Sequence, residues 1–129
     1  VRLLLDTHTL LWQGISPDRL SSRVRQLLDA ASNQRLVSVA TLWEIAIKVS
    51  LGKLALRQDS FERLIDEGLA AAKATLLHIE PTHIKLVATL PYHHRDPFDR
   101  LLIAQALAEG VTLLSADAEL DAYGLQRIW

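Results

Sequence analysis

Short apolar runs alternate with longer apolar blocks along this chain. Leu3-Leu4-Leu5, Leu36-Val37-Ser38-Val39, Leu76-Leu77-His78-Ile79 and Val111-Thr112-Leu113-Leu114 read as buried strands. A weaker fifth run closes the chain between Leu125 and Ile128. The blocks between them carry helical spacing. Val24, Leu27, Leu28 and Ala31 fall on one helical stripe after Ser21 and Ser22, and Phe61, Leu64, Ile65 and Leu69 on another. The second stripe follows Asp59, which with Glu62 matches a capping box. Phe98 to Glu109 is apolar on much of its circumference and stops at Gly110, while Thr82 to Leu90 is a shorter helix ended by Pro91. Two helical blocks stand in a row around Gly52, which predicts a helical hairpin within residues 40–74. Strands that are apolar throughout, with helices between them, predict an α/β fold: a parallel sheet of about five strands covered on both faces.

The length of 129 residues suits one compact domain with a core large enough to dispense with disulfides. Half the residues are hydrophobic, which excludes a disordered chain. With 14 basic against 15 acidic residues, the net charge of −1 argues against a protein that coats nucleic acid, yet leaves room for a few local phosphate contacts. Cysteine is absent, so thiolate-bound zinc and iron–sulfur centres are excluded and a reducing cytosol fits. No targeting segment is visible, and no run approaches the ~20 apolar residues of a membrane span.

Four acids share a context. Asp6 directly follows the first strand, Glu44 lies in the helix after the second, Asp99 begins the buried helix before the fourth, and Asp117 follows that strand. In open α/β sheets the carboxyl ends of the strands gather at one edge, where ligands bind. Clustered carboxylates repel and call for a counter-charge, and an oxygen-rich set suits Mg2+ or Mn2+. Such an ion can activate water and offset charge on a phosphate. A second reading stays open at this point. Asp96-Pro97-Phe98-Asp99 is a good helix start, Thr41 to Glu44 matches a capping box, and Asp6 and Asp117 can each cap a helix.

The motifs themselves narrow the choice. Leu3-Leu4-Leu5-Asp6-Thr7-His8 resembles the opening of PIN domains, and Ser38 to Glu44 with Ile45-Ala46-Ile47-Lys48 resembles their second motif. His93 to Ala106, with Asp96-Pro97-Phe98-Asp99-Arg100 at its heart, resembles the third as found in VapC-type toxins. Leu113-Leu114-Ser115-Ala116-Asp117 resembles the fourth. The resemblance covers nearly the whole of residues 1–129 in the family's order. It implies a single PIN domain, a Mg2+- or Mn2+-dependent endoribonuclease acting on RNA, a homodimer, and neutralisation by a cognate antitoxin protein. By position, Asp6, Glu44 and Asp99 match the central acids and Asp117 the more variable fourth; Ser115 stands where the family often has Ser or Thr, and the resemblance implies a bond from it to an acid or a water.

Other residues carry weaker expectations. Asp96 reads as an N-cap, and His93 and His94 as solvated loop residues. Lys48 and Arg100 read as phosphate contacts or as salt bridges to the acids. Trp43 reads as core, Trp12 and Trp129 as packing or interface residues. An aspartyl-phosphate phosphatase would need a second Asp where His8 stands, and a receiver domain would need paired acids near Asp6, where Thr7 follows. The remaining alternative is a PIN-like binding module without catalysis.

Overall fold

The computed structural model describes residues 1–54 and 56–129. The chain runs β1 (Arg2–Leu5), α1 (Thr7–Ile15), α2 (Ser22–Asp29), β2 (Gln34–Ser38), α3 (Val39–Ser50), α4 (Gln58–Arg63), a π-helical turn (Leu64–Gly68), α5 (Leu69–Ala71), β3 (Ala74–Leu77), α6 (Pro81–Val87), α7 (Pro97–Glu109), β4 (Thr112–Leu114), a 3-10 turn (Ala118–Tyr123) and β5 (Arg127–Ile128). All five strands are parallel and lie in the order β3-β2-β1-β4-β5. The expected α/β class, parallel sheet and paired helices after β2 are all present.

Alternation along the strands divides the core. Leu3, Leu5, Val37 and Leu114 pack on one face with Leu10 and Leu11 of α1, Val24 and Leu28 of α2, and Leu42 and Ile45 of α3. Leu4, Leu36 and Leu113 pack on the other with Leu102, Ile103 and Ala106 of α7 and with Leu120 and Tyr123. Leu3, Leu4, Leu5, Leu113 and Leu114 have no solvent exposure. Strands buried on both faces lose the polar alternation of a half-exposed sheet, which is why their sequence is uniformly apolar.

Several boundaries moved, each for a physical reason. Val39, expected in a strand, is the first residue of α3, because the Ser38 hydroxyl accepts from the Ala40 N–H and caps the helix. That places Thr41 and Glu44 inside the helix, so they form no capping box. Asp59 likewise lies within α4 and pairs with Arg57 and Arg63 at 3.3 and 3.6 Å, so the Asp59–Glu62 box is also corrected. β3 starts earlier than its apolar run because Ala74 pairs with Arg35 and Leu77 with Ser38, the end of β2. As an edge strand it keeps only one neighbour and is half-exposed. Ser21, Asp96 and Gly110 punctuate α2 and α7 as expected, with Gly110 in the left-handed region at φ 61°. Among the described residues, no helix is long and apolar enough to cross a membrane.

Candidate active site

The chain turns from β1 outward to β2 and β3, then returns to place β4 on the other side of β1. Such a switch in strand order opens a crevice at the carboxyl ends. A cavity of about 220 Å³ lies there, lined by Asp6, Thr7, Glu44, Lys48, Asp96, Asp99, Ser115 and Asp117 among others. All four acids singled out by the sequence therefore meet in one place.

Local chemistry sets each of them. Asp6 leaves β1 and caps α1, its Oδ1 accepting from Thr9 N–H at 2.8 Å. Asp117 leaves β4 and caps the 3-10 turn, its Oδ1 accepting from Glu119 N–H at 3.0 Å. Asp96 caps α7 through bonds from Phe98 and Asp99 N–H, which fixes the turn that presents Asp99. Ser115 is fully buried and its Oγ accepts from Asp117 N–H at 3.2 Å. Capping and convergence are thus compatible. A cap uses one carboxylate oxygen, and the other is left for the cavity.

Glu44 is buried, with Thr7 Oγ1 donating to its Oε1 at 2.6 Å and Lys48 Nζ donating to its Oε2 at 2.8 Å. Lys48 therefore takes the salt-bridge option among its two expected roles. Nothing in the spacing pointed to Thr7, whose only signal was its place directly after Asp6. Ser38 and Gln105, both fully buried, join α3 to α7 through a 2.5 Å bond from Ser38 Oγ to Gln105 Oε1. The helices that carry Glu44 and Asp99 are held together at that point.

Three expectations are corrected here. His94 is not a solvated loop residue: its Nε2 lies 2.6 Å from Asp99 Oδ2 and its side chain is 16% exposed. His93 stays exposed, resting edge-on against Tyr123. Among the described residues Arg100 contacts no acid, and it is largely shielded from solvent. It is 5% exposed, donates to the carbonyls of Val87, Leu90, Pro91 and His94 and to Tyr123 Oη, and stacks over the Tyr92 ring. Trp43 is 59% exposed and rests edge-on against Phe98 at 5.1 Å. Its helical phase explains this, since Trp43, Ile47 and Ser50 form the outer stripe of a helix whose Leu42 and Ile45 face the core. Trp12 packs edge-on to Trp129, as expected.

Burial pushes the Asp99 carboxyl above the ordinary aspartate value of 3.8; the His94 hydrogen bond opposes this, and Asp96 and Glu44 add to the rise. A carboxyl with a raised folded pKa binds its proton more tightly in the fold than in the unfolded chain. Its stabilising contribution is fully present below 3.8 and is lost as pH rises through the raised value. In chelator, Asp99→Asn should therefore melt above wild type at neutral pH, and the two curves should converge as the pH falls. Melts recorded across that range check this; a variant that melts below wild type at neutral pH contradicts it.

The donor set fits a hard divalent cation. It is all oxygen at its centre, and among the described residues Lys48 is the one permanently charged cation lining the cavity, so negative charge is left over.

Comparison with known proteins agrees with the fold and the motifs. A family model described as PIN domain matches residues 3–125. Ribonuclease VapC22 of Mycobacterium tuberculosis is 27% identical over 128 residues, covering 94% of this chain and 91% of that protein. VapBC2 from Rickettsia felis, solved with a DNA fragment from its promoter, superimposes with a TM-score of 0.77 at 17% identity, covering 99% of this chain and 98% of that one. FitAcB from Neisseria gonorrhoeae superimposes with a TM-score of 0.70 at 20% identity, covering 98% and 96%.

Proposed function

Since the chain belongs to the PIN-domain family, we propose that it is a divalent-metal-dependent endoribonuclease and the toxin of a toxin–antitoxin pair. The observation that carries this reading is the convergence of Asp6, Glu44, Asp99 and Asp117 on one cavity at the switch point of the sheet. The likeness to a ribonuclease over nearly the whole chain supports RNA as the substrate.

Asp6, Asp99 and Asp117, with Glu44 beside them, would hold Mg2+ or Mn2+. When bound, such an ion supplies Lewis acidity, which acidifies water and offsets charge building on a scissile phosphate. The chain's own residues do the rest. Thr7 and Lys48 fix both oxygens of Glu44, so that carboxylate meets the ion without a rotamer search. The caps on Asp6 and Asp117 orient their free oxygens in the same way. This is preorganisation: the charges are placed before substrate arrives.

RNA cleavage should require Mg2+ or Mn2+ and disappear in EDTA. Full activity in chelator, with metal removal verified by elemental analysis, would overturn the metal mechanism. Metal binding by calorimetry without any cleavage would favour the non-catalytic module instead.

Partners follow from the exposed apolar surface. Apolar hollows of about 340 and 260 Å³ lie between α1 and the α4–α5 segment, lined by Leu10, Leu11, Ile15, Leu56 and Leu64. Gln13 Oε1 lies buried there without a hydrogen-bond donor. An antitoxin segment with an apolar side chain and a free N–H suits that face, and the solved VapBC complexes of the same fold support such a partner. Exposed Trp43, Leu76, Ile79 and Ile84 lie on α3, on and just beyond the edge strand β3, and on α6, and offer area for a homodimer. Light scattering at micromolar concentration should report a dimer; a strictly monomeric species would contradict it. The absence of cysteine and of a membrane-spanning helix among the described residues suits action in the cytosol.

A further inference from the structure

Beside the acidic cavity runs a line of rings that the metal reading does not use. His8 lines the cavity, and Trp12 follows it one helical turn later on α1. Their ring centroids are 5.3 Å apart, with the planes tilted by 35°. Trp129, directly after β5, meets Trp12 edge-on at 5.7 Å. The Arg19 guanidinium lies over the Trp12 ring, 4.3 Å from its centroid. His8 stands near the start of α1 and Trp129 at the end of β5, so both belong to the sheet edge where the acids gather.

The two tryptophans are half-buried and pack against the core, which accounts for them as structure. His8 and Arg19 are not accounted for in that way. Both are exposed. Among the described residues, neither ring nitrogen of His8 has a hydrogen-bond or ion-pair partner, and its ring rests on Trp12. Arg19 has no carboxylate partner among the same residues, although the chain carries 15 acids. An aromatic ring braced from one side and a cation without a counter-charge therefore stand next to a cavity suited to phosphate chemistry. Proteins hold unpaired nucleotides with that pairing of a stacking surface and a free cation.

We propose that His8, braced by Trp12, is a stacking platform for the RNA base beside the phosphate in the cavity, and that Arg19 contacts the backbone further along the strand. This rests on the nuclease reading for the place of the phosphate, and it deepens that reading by naming the substrate class. In a duplex each base is covered on both faces by its neighbours, so a ring at this position selects an unpaired strand or a loop. Every base has a π face, so the platform holds a nucleotide without reading its sequence. The imidazole stacks through its face, and no particular protonation state of its nitrogens is required.

The test is fluorescence anisotropy of the whole protein in EDTA with three labelled probes: a ten-nucleotide oligoadenylate, an abasic strand of the same length, and an RNA duplex. Wild type should bind the oligoadenylate about ten-fold more tightly than either of the others. His8→Ala should remove most of that preference, and His8→Phe, which keeps a ring, should retain it. Arg19→Ala should weaken both single strands alike and flatten their salt dependence. Because His8 and Arg19 are exposed, these variants should melt with wild type. A wild type without preference for bases, a duplex bound as tightly as the single strand, or a His8→Phe that loses as much as His8→Ala would each overturn the platform. RNA binding unchanged in His8→Ala, with an altered oligomeric state by light scattering, would assign the face to a protein partner and overturn it too. Wild-type cleavage with Mg2+ or Mn2+ decides the nuclease reading separately, since the binding experiment uses no ion.

Discussion

Asp6→Asn should leave the fold intact and reduce RNA cleavage by at least about 100-fold. The two halves of that expectation come from different oxygens of one side chain. Asp6 Oδ1 accepts from Thr9 N–H and starts α1. Asn caps a helix about as well as Asp, so a purely structural role would survive the change with a loss of a few tenths of a kcal/mol at most. What Asn cannot supply is the negative charge. Under the proposed metal reading, removing it from the switch point between β1 and β4 weakens a ligand and lowers the negative charge that would attract the ion. Cleavage assays and Mn2+-dependent melting temperature, measured on the same preparation, separate the two. A variant that cleaves at the wild-type rate and keeps the full Mn2+ shift would leave Asp6 as a cap and nothing more. Glu44→Gln is a harsher version of the same test, because the amide nitrogen it introduces would face either Thr7 Oγ1 or Lys48 Nζ, both of which now donate to the carboxylate.

The largest expected loss of stability belongs to Arg100. Its guanidinium satisfies four backbone carbonyls between Val87 and His94 and touches no carboxylate among the described residues. Arg100→Ala would strip the donor from the carbonyls of Leu90, Pro91 and His94, the Val87 carbonyl keeping the Leu90 N–H, and would unsupport the Tyr92 ring, at a cost of about 3–5 kcal/mol. Arg100→Lys should recover little, since a point ammonium cannot span acceptors that a planar fork reaches from two nitrogens. The 88–96 connection would loosen first, and with it the loop that delivers His94 and Asp96. Denaturant unfolding of both variants measures the loss; a shift below about 1 kcal/mol for the alanine variant would mean that the loop holds itself.

Much of this site was legible in the sequence because its acids sit at chain reversals. Asp6, Asp96 and Asp117 each follow an apolar run or precede a helix, and the physics of capping makes such positions stand out. Glu44 was legible from its place in the helix just after the second strand and from the family motif, since within a helix its spacing alone does not distinguish it from a surface glutamate. The hidden parts are the long-range ones. Thr7 meets Glu44, Ser38 meets Gln105 and His94 meets Asp99 through tertiary packing. A lone Thr, Gln or His carries no local signal of such a bond. Arg100 misled because neighbours in sequence point about 100° apart around a helix, which here turns Arg100 away from Asp99 toward the 87–94 backbone. Helix α1 was left undefined for another reason, since Leu10, Leu11 and Trp12 stand in an unbroken run without helical stripes and Thr7 and Thr9 disfavour the conformation.

The pairing of β1 with β4 also sets a schedule. Leu3 lies beside Thr112, and Leu5 beside Leu114. Contacts so distant along the chain form late, because loop closure is paid before any reward arrives. During synthesis, Asp6 leaves the ribosome well before the strand that brings Asp117 to its side. A chain that stops before α7 carries Asp6 and Glu44 but neither Asp99 nor Asp117, and so no complete cavity. If the proposed cleavage needs all four acids, it can begin only after β4 and the 3-10 turn behind it have emerged and docked against β1.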